Sequence, residues 1–488
     1  GLEFISQKRL FPELEYIFKH ALTQEVAYSS LLKERRKEIH EKIGQAIETL
    51  YPENLEEYFE LLAYHYTRSD NNNKALEYLD LANQKAIKLN AFEDAMTYFN
   101  DGMKLLDTLP NTKTNKHWRI SMLASQWIVF EQLFKFPEYY ELLTRHEATA
   151  IDLGNKALLG SIYACKGHCE WWFGQLDRSG PSLTKVAELS EAGGNALGVG
   201  YANMQLTWHY LIVGEFEKVL ACKEKAFAAL EQQFNLRLYV WALCAALQAE
   251  GWLGRWDDIE EQGQKALSIA EEYSDNSLIS FAAWQFYVTL MFKGDFQRAL
   301  EYAEMSVQKA SAPADKAWTE STLGWLLCHL GNFDKGIQLL TMYIPIFLSS
   351  GFLPAKAIWG TFLGEGYWLA GEYDKAKQTL EDVLKTSEQC GMKPYIGFDH
   401  RIMGEIALKN DPIRAKPHFE KSIEIFQEIK TENLLALAYA GLGRFYKQQG
   451  DFAKAQEYLT QALEIFEHLG TPTEPDRVRE ILAELPDS

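Results

Sequence analysis

Cysteine is scarce. Six in 488 residues cannot staple a fold of this length, so a disulfide framework is excluded and a reducing, cytoplasmic home is expected. Positive charge is also short: 49 Lys and Arg stand against 68 Asp and Glu, a formal net charge of −19. That balance argues against nucleic acid, whose phosphates require a basic surface, and against an anionic membrane. Long hydrophobic runs are missing but for Gly336–Ala355, twenty residues without a charge. Pro345 and Pro354 interrupt that stretch and Ser349-Ser350-Gly351 divides it, so it reads as part of a soluble element. Three catalytic signatures are absent as well: Gly-x-x-x-x-Gly-Lys-Ser/Thr for a phosphate cradle, His-Glu-x-x-His for a metalloprotease, and Gly-x-Ser-x-Gly for a hydrolase. No catalytic residue and no cofactor is therefore expected. No secretory leader is visible, and the first residue is glycine, as in a piece of a longer protein. An apolar fraction of 47% excludes disorder and leaves either several globular domains or one long repeat array.

The sequence decides for the array. A glycine, any residue, an aromatic, a polar pair and a small or aliphatic residue recur, as in Gly214-Glu215-Phe216-Glu217-Lys218-Val219 and Gly371-Glu372-Tyr373-Asp374-Lys375-Ala376. The beats begin at 134, 174, 214, 254, 294, 331, 371, 410 and 450, in steps of 40 except for one of 37 and one of 39. Glycine takes the left-handed conformation that ends a helix, and the aromatic two places on opens the next. Upstream of the glycine a helical pattern carries a small residue at the crossing, as in Leu363-Gly364 with Tyr367 and Leu442-Gly443 with Tyr446. Each unit is thus a helical hairpin that buries its apolar face only by stacking on its neighbours.

These residues resemble the tetratricopeptide repeat over roughly Leu55–Leu482, with a longer beat than the ~34 residues of that family. The resemblance implies an all-α fold, a right-handed α-solenoid of antiparallel hairpins with a period of about 40. Long-period arrays of this kind are similar to the superhelical sensor region of bacterial maltose-type transcription activators. Leu10–Tyr28, with Leu31–Arg36 and Ile39–Ile43, is similar to the segment that joins the ATPase core to the repeat array in bacterial signal-transduction ATPases of the STAND type. Those proteins often carry a class III adenylate or guanylate cyclase. The resemblance implies that the chain is their C-terminal sensor arm, with any ATPase or cyclase upstream of Gly1. His20 and Arg35-Arg36 then either touch nucleotide in that core or form an ordinary helical surface. The expected organisation is a helical junction over 1–50, irregular repeat-like helices over 51–110, the long-period superhelix over 111–470, and a capping helix and tail over 471–488.

Placing each motif glycine at position 15 of its unit puts positions 2, 5, 9, 12 and 13 on one helical stripe. In the family this resembles, that stripe lines the concave groove. Trp171, Trp172, Tyr201, Trp208, Trp241, Trp252, Phe281, Trp284, Phe292, Trp318, Trp325 and Trp368 fall on it, including nine of the 13 tryptophans. These are the candidate ligand- and partner-binding residues, since aromatics give large contact area at low entropic cost. Further on, Arg444, Lys447 and Gln448 turn the stripe polar and basic. The expected partners are a protein or peptide, or a small ligand such as a sugar, together with the upstream ATPase domain. The alternative is a tight superhelix whose aromatics pack as core, which makes the chain a passive scaffold or oligomerisation arm. Cys165, His168 and Cys169 share one helix face but fall a ligand short of a structural zinc site, so they are read as core, as is Cys328-His329.

Overall fold

The structure is a computed structural model and describes residues 5–9, 15–18 and 21–486. Contacts divide the chain into Gly1–Met122 and Leu123–Ser488. In the first unit, β1 (Ile5–Arg9) pairs antiparallel with β2 (Glu15–Phe18), Ile5 opposite Phe18. The junction expected over 1–50 is therefore not helical throughout. Tyr16-Ile17-Phe18 is a run of β-formers, and that local preference prevails here. His20 lies outside the described residues. Helices follow at Ala21–Ser30 and Lys33–Leu50, then a 3₁₀ turn at Pro52–Tyr58 and helices at Phe59–Tyr66, Asn72–Lys88 and Phe92–Thr108. Their core gathers Ile47, Leu62, Tyr66, Tyr78 and Leu79. Arg35 pairs with Glu38 on an exposed face. Arg36 is spent on the local chain, donating to the Leu31 and Ser29 carbonyls across the helix break and lying over the Tyr28 ring.

The polar loop after Thr108 is a short turn, and the division between the units falls inside the next helix, Lys113–Ala124. The second unit then stacks nine hairpins. Their first helices are Trp127–Gln132, Lys156–Trp172, Ala196–Val213, Leu236–Leu253, Asn276–Lys293, Pro313–His329, Pro354–Leu369, Lys393–Asn410 and Glu432–Gln448. Their second helices are Phe136–Leu153, Leu176–Ala192, Phe216–Leu230, Trp256–Glu272, Phe296–Lys309, Phe333–Ser349, Tyr373–Cys390, Pro412–Glu428 and Phe452–Leu469, with Glu474–Ala483 as the cap. Turns are brief and most helices run 17 or 18 residues, so the surplus over the shorter family beat lies in the helices.

The turn chemistry is visible at Gly294. Its φ is +90°, and the amide of Asp295 reaches back to the Leu290 carbonyl at 2.9 Å, closing the helix. At the eighth beat Asn410 has no such conformation; Asp411 is extended and Pro412 opens the next helix instead. First helices are inner: every residue from Val240 to Leu253 is buried. Second helices are amphipathic, as where Trp256, Ile259, Gly263, Ala266 and Ala270 face in while Asp257, Asp258 and Glu261 face solvent. The aromatic that opens the second helix is buried in Phe136, Phe216 and Trp256 and half-buried in Phe296, Phe333 and Tyr373. Phe452 has only the short cap beyond it and is 41% exposed. The charge-free stretch splits between two helices, and among the described residues no helix is long and apolar enough to cross a membrane.

The coil is tight enough to touch itself. The indole N–H of Trp172 donates to the Ser350 carbonyl at 3.0 Å, and Asn433 donates to the Phe292 carbonyl at 2.8 Å. Trp252 meets Tyr395 edge to face. Hairpins four or five repeats apart are thereby in direct contact, and the inner wall is a partly filled interior rather than an open channel.

Candidate binding site

That filling corrects the expectation of one continuous open aromatic wall. Trp172 is fully buried, Trp252 stacks on Phe216, and Trp325 lies flat on Phe362 at 3.9 Å while donating to Glu365 at 2.8 Å. Tyr201 is buried beside His168. Trp368 is half-buried at the end of its helix, away from the others. None of these five lines the cavity that the others form.

The remaining seven candidates, Trp171, Trp208, Trp241, Phe281, Trp284, Phe292 and Trp318, come together around a cavity of about 100 Å³. Two stacked pairs form its walls, Trp241 on Phe281 at 4.7 Å and Trp284 on Trp318 at 5.6 Å. The pairs stand steeply to one another, Phe281 meeting Trp284 at 76° and Trp241 meeting Trp318 at 68°. Trp208 closes a third side, edge-on to Trp241 and Phe281. Trp359, Phe352, Phe362 and Tyr395, from later hairpins, complete the lining because the coil brings them back.

A polar seam also lines the cavity: Glu131, His168, Gln205, Gln248 and Gln285. Of these, the sequence points only to His168, and there as core rather than as lining; the other four carry no sequence expectation. The signal was there, since Gln205 and Gln285 sit nine residues before a motif glycine and His168 and Gln248 six before, each a polar residue in an apolar helix. Gln248 donates to Gln285 at 2.7 Å, and Gln205 donates to His168 Nδ1 at 2.9 Å. The His168 ring proton then resides on Nε2, which faces Glu131 Oε2 at 3.5 Å. Burial pushes His168 down to about 3, so the ring is neutral. Burial also pushes the Glu131 carboxyl well above its ordinary range; Asp315 adds to the rise and Arg237 opposes it. Burial pushes Cys165 up to about 11 and Cys169 well above its ordinary value, so neither is a thiolate. Among the described residues no group of His, Cys, Asp and Glu could hold a metal ion.

Several polar atoms of the lining have no hydrogen-bond partner: the indole N–H groups of Trp171, Trp208, Trp241 and Trp318, the amide nitrogen of Gln285, and Glu131 Oε2. Buried donors are normally satisfied, and orphans gathered at one cavity are unusual. By contrast, Thr322 accepts from both Trp284 and Trp359.

Towards the last hairpins the inner face carries charge, but the charge is paired. Glu365 holds Arg401 at 2.6 Å, Glu405 holds Arg444, and Lys447 meets Glu484. The basic end expected at Arg444 and Lys447 is thus neutralised by carboxylates on adjacent elements.

Residues 403–468 match the tetratricopeptide repeat. In fold, the chain is similar to a Rap protein solved in complex with competence and sporulation factor. That likeness has 14% identity and a TM-score of 0.54, over 72% of this chain and 98% of that one. It is also similar to the Cut9–Hcn1 hetero-tetramer of the APC/C, at 16% identity and a TM-score of 0.50, over 96% of this chain and 94% of that one. No curated protein sequence matches. Hairpin geometry, turn chemistry and these likenesses together describe an all-α solenoid of tetratricopeptide type.

Proposed function

We propose that the chain is a non-enzymatic sensor module whose inner cavity takes a small ligand, or a side chain of a partner protein or peptide, and whose occupancy is relayed to an ATPase of the STAND type preceding Gly1. The observation that carries this reading is an aromatic-lined cavity at the meeting point of several hairpins, whose lining residues include buried polar groups without a partner. A ligand seated there touches helices far apart in sequence and so biases the winding of the coil. Such a shift requires that affinity differ between two windings. Helical repeats of this type are generally non-catalytic. The Rap and Cut9 structures were each solved with another molecule, in keeping with a binding role. The relay would pass through the segment 10–48, and the module would work in the cytoplasm.

The extensive stacking of the stripe favours a second reading, a passive scaffold or oligomerisation arm. Val288 lines the cavity and is 6% exposed, so Val288→Phe fills the space without adding charge. In a sensor this substitution silences the ATPase response of the parent protein while far-ultraviolet helicity is kept. In a scaffold it leaves partner assembly unchanged and raises the thermal midpoint, because a void has been filled. An unaltered response with intact helicity removes the cavity from the account.

A further inference from the structure

The proposed sensing role leaves the chemistry of the ligand open, and the walls narrow it. The indoles of Trp171, Trp208, Trp241, Trp284 and Trp318 line the cavity at mutual angles that include steep ones, and an indole ring attracts a cation through its quadrupole. One carboxyl, Glu131, lines the same space, is 2% exposed, and has an oxygen without a partner. Among the described residues no lysine or arginine lines the cavity.

The surroundings of Glu131 are short of positive charge. Asp315, 3% exposed, bears on it electrostatically from the hairpin beginning at Pro313. Arg237, from the helix Leu236–Leu253, bears on it too, but that guanidinium also has Asp275 at 3.5 Å. His168 against it is neutral, and Cys169 and Tyr201, which also bear on it, are held uncharged by burial. Arg237 thus bears on Glu131 and Asp315 while it also pairs with Asp275. Burial and the nearby Asp315 carboxyl favour the protonated form of Glu131 while the cavity is empty.

We infer, resting on the sensing role proposed above, that the cavity binds a small organic ammonium, its alkyl groups against Trp208, Trp241, Phe281 and Trp318 and its charge answered by Glu131. A cavity of about 100 Å³ suits a head group near the size of tetramethylammonium, since ~150 Å³ admits benzene in a comparable apolar void. Binding takes the proton from Glu131 and releases it to solvent, so one proton leaves for each cation bound. Affinity therefore rises with pH until the free carboxyl is itself ionised.

The test uses the full chain and two probes of equal heavy-atom count, tetramethylammonium chloride and the neutral tert-butanol. Tryptophan fluorescence and calorimetry are read against sodium chloride at matched ionic strength. The expected result is a dissociation constant for tetramethylammonium about tenfold below that of tert-butanol. Glu131→Gln should erase that preference, together with the pH dependence and the proton release. Trp208→Leu at the half-buried wall provides a check if Glu131→Gln fails to fold; it should weaken tetramethylammonium binding while leaving tert-butanol unchanged. Equal binding of the two probes overturns the cationic assignment while leaving the cavity a ligand site. Binding of neither overturns it as well, and the sensing role is then judged on Val288→Phe alone.

Discussion

Glu365 is a carboxylate with 3% exposure, and it persists because three donors reach it: Arg401 at 2.6 Å, the Trp325 indole at 2.8 Å and His329 at 3.3 Å. Burial alone would raise its pKa, but the histidine, the guanidinium and the indole outweigh burial and hold it at about 2, below its ordinary 4.5. The folded chain thus binds the proton less readily than the unfolded chain. Glu365 contributes stability that is complete above its ordinary value and fades as pH falls towards about 2. Arg401→Met strips one partner and leaves the charge buried. The expected loss is about 3 kcal/mol near neutrality, shrinking below pH ~4 as the carboxyl protonates. Denaturant midpoints of wild type and variant across that window check the sign, and the double variant with Glu365→Gln should recover part of the loss. A loss that grew on acidification would mean that Glu365 is not ionised in the fold.

The hairpins themselves depend on how closely two helices approach. A Cβ on Gly324 would stand 2.7 Å from the Gly336 carbonyl oxygen, a backbone atom that cannot swing aside. Gly324→Ala gains about 1 kcal/mol of helix propensity and forfeits about 1–3 kcal/mol in forcing the helices Pro313–His329 and Phe333–Ser349 apart. A net loss of about 1–2 kcal/mol is expected, read as faster amide exchange in that hairpin. Much of this level could be read from the sequence. The forty-residue beat, the left-handed glycines and the small residues at helix crossings are local signals, and local chemistry enforces them. The strand pair at Ile5–Phe18 is hard to read because its two runs are short and are joined by pairing with each other, and helices follow directly. Adjacent tryptophans show where reading ends. Trp171 and Trp172 share the stripe, yet the first lines the cavity with an unpaired N–H and the second is locked to Ser350. What separates them is the winding of the coil, which no local pattern encodes.

Winding is also what distinguishes this solenoid from an array in which each repeat feels only its neighbours. Asn433, on the ninth hairpin, donates to the Phe292 carbonyl on the fifth and accepts from Thr471 ahead of the cap, at 2.8 and 3.0 Å. All three residues are buried, so no water replaces a lost partner. Asn433→Ala leaves a carbonyl and a hydroxyl unsatisfied, at an expected cost of about 1–3 kcal/mol. The location of that cost is the sharper expectation. If the turns of the coil support one another, amide exchange speeds up both in the helix Glu432–Gln448 and in the helix Asn276–Lys293, while the helices between them respond less. If stability passes only along the chain, the effect is largest at the ninth hairpin and decays steadily through the eighth and seventh, leaving the fifth unchanged. Residue-resolved hydrogen exchange separates the two patterns, and only the first lets a ligand in the inner cavity influence hairpins remote from it in sequence.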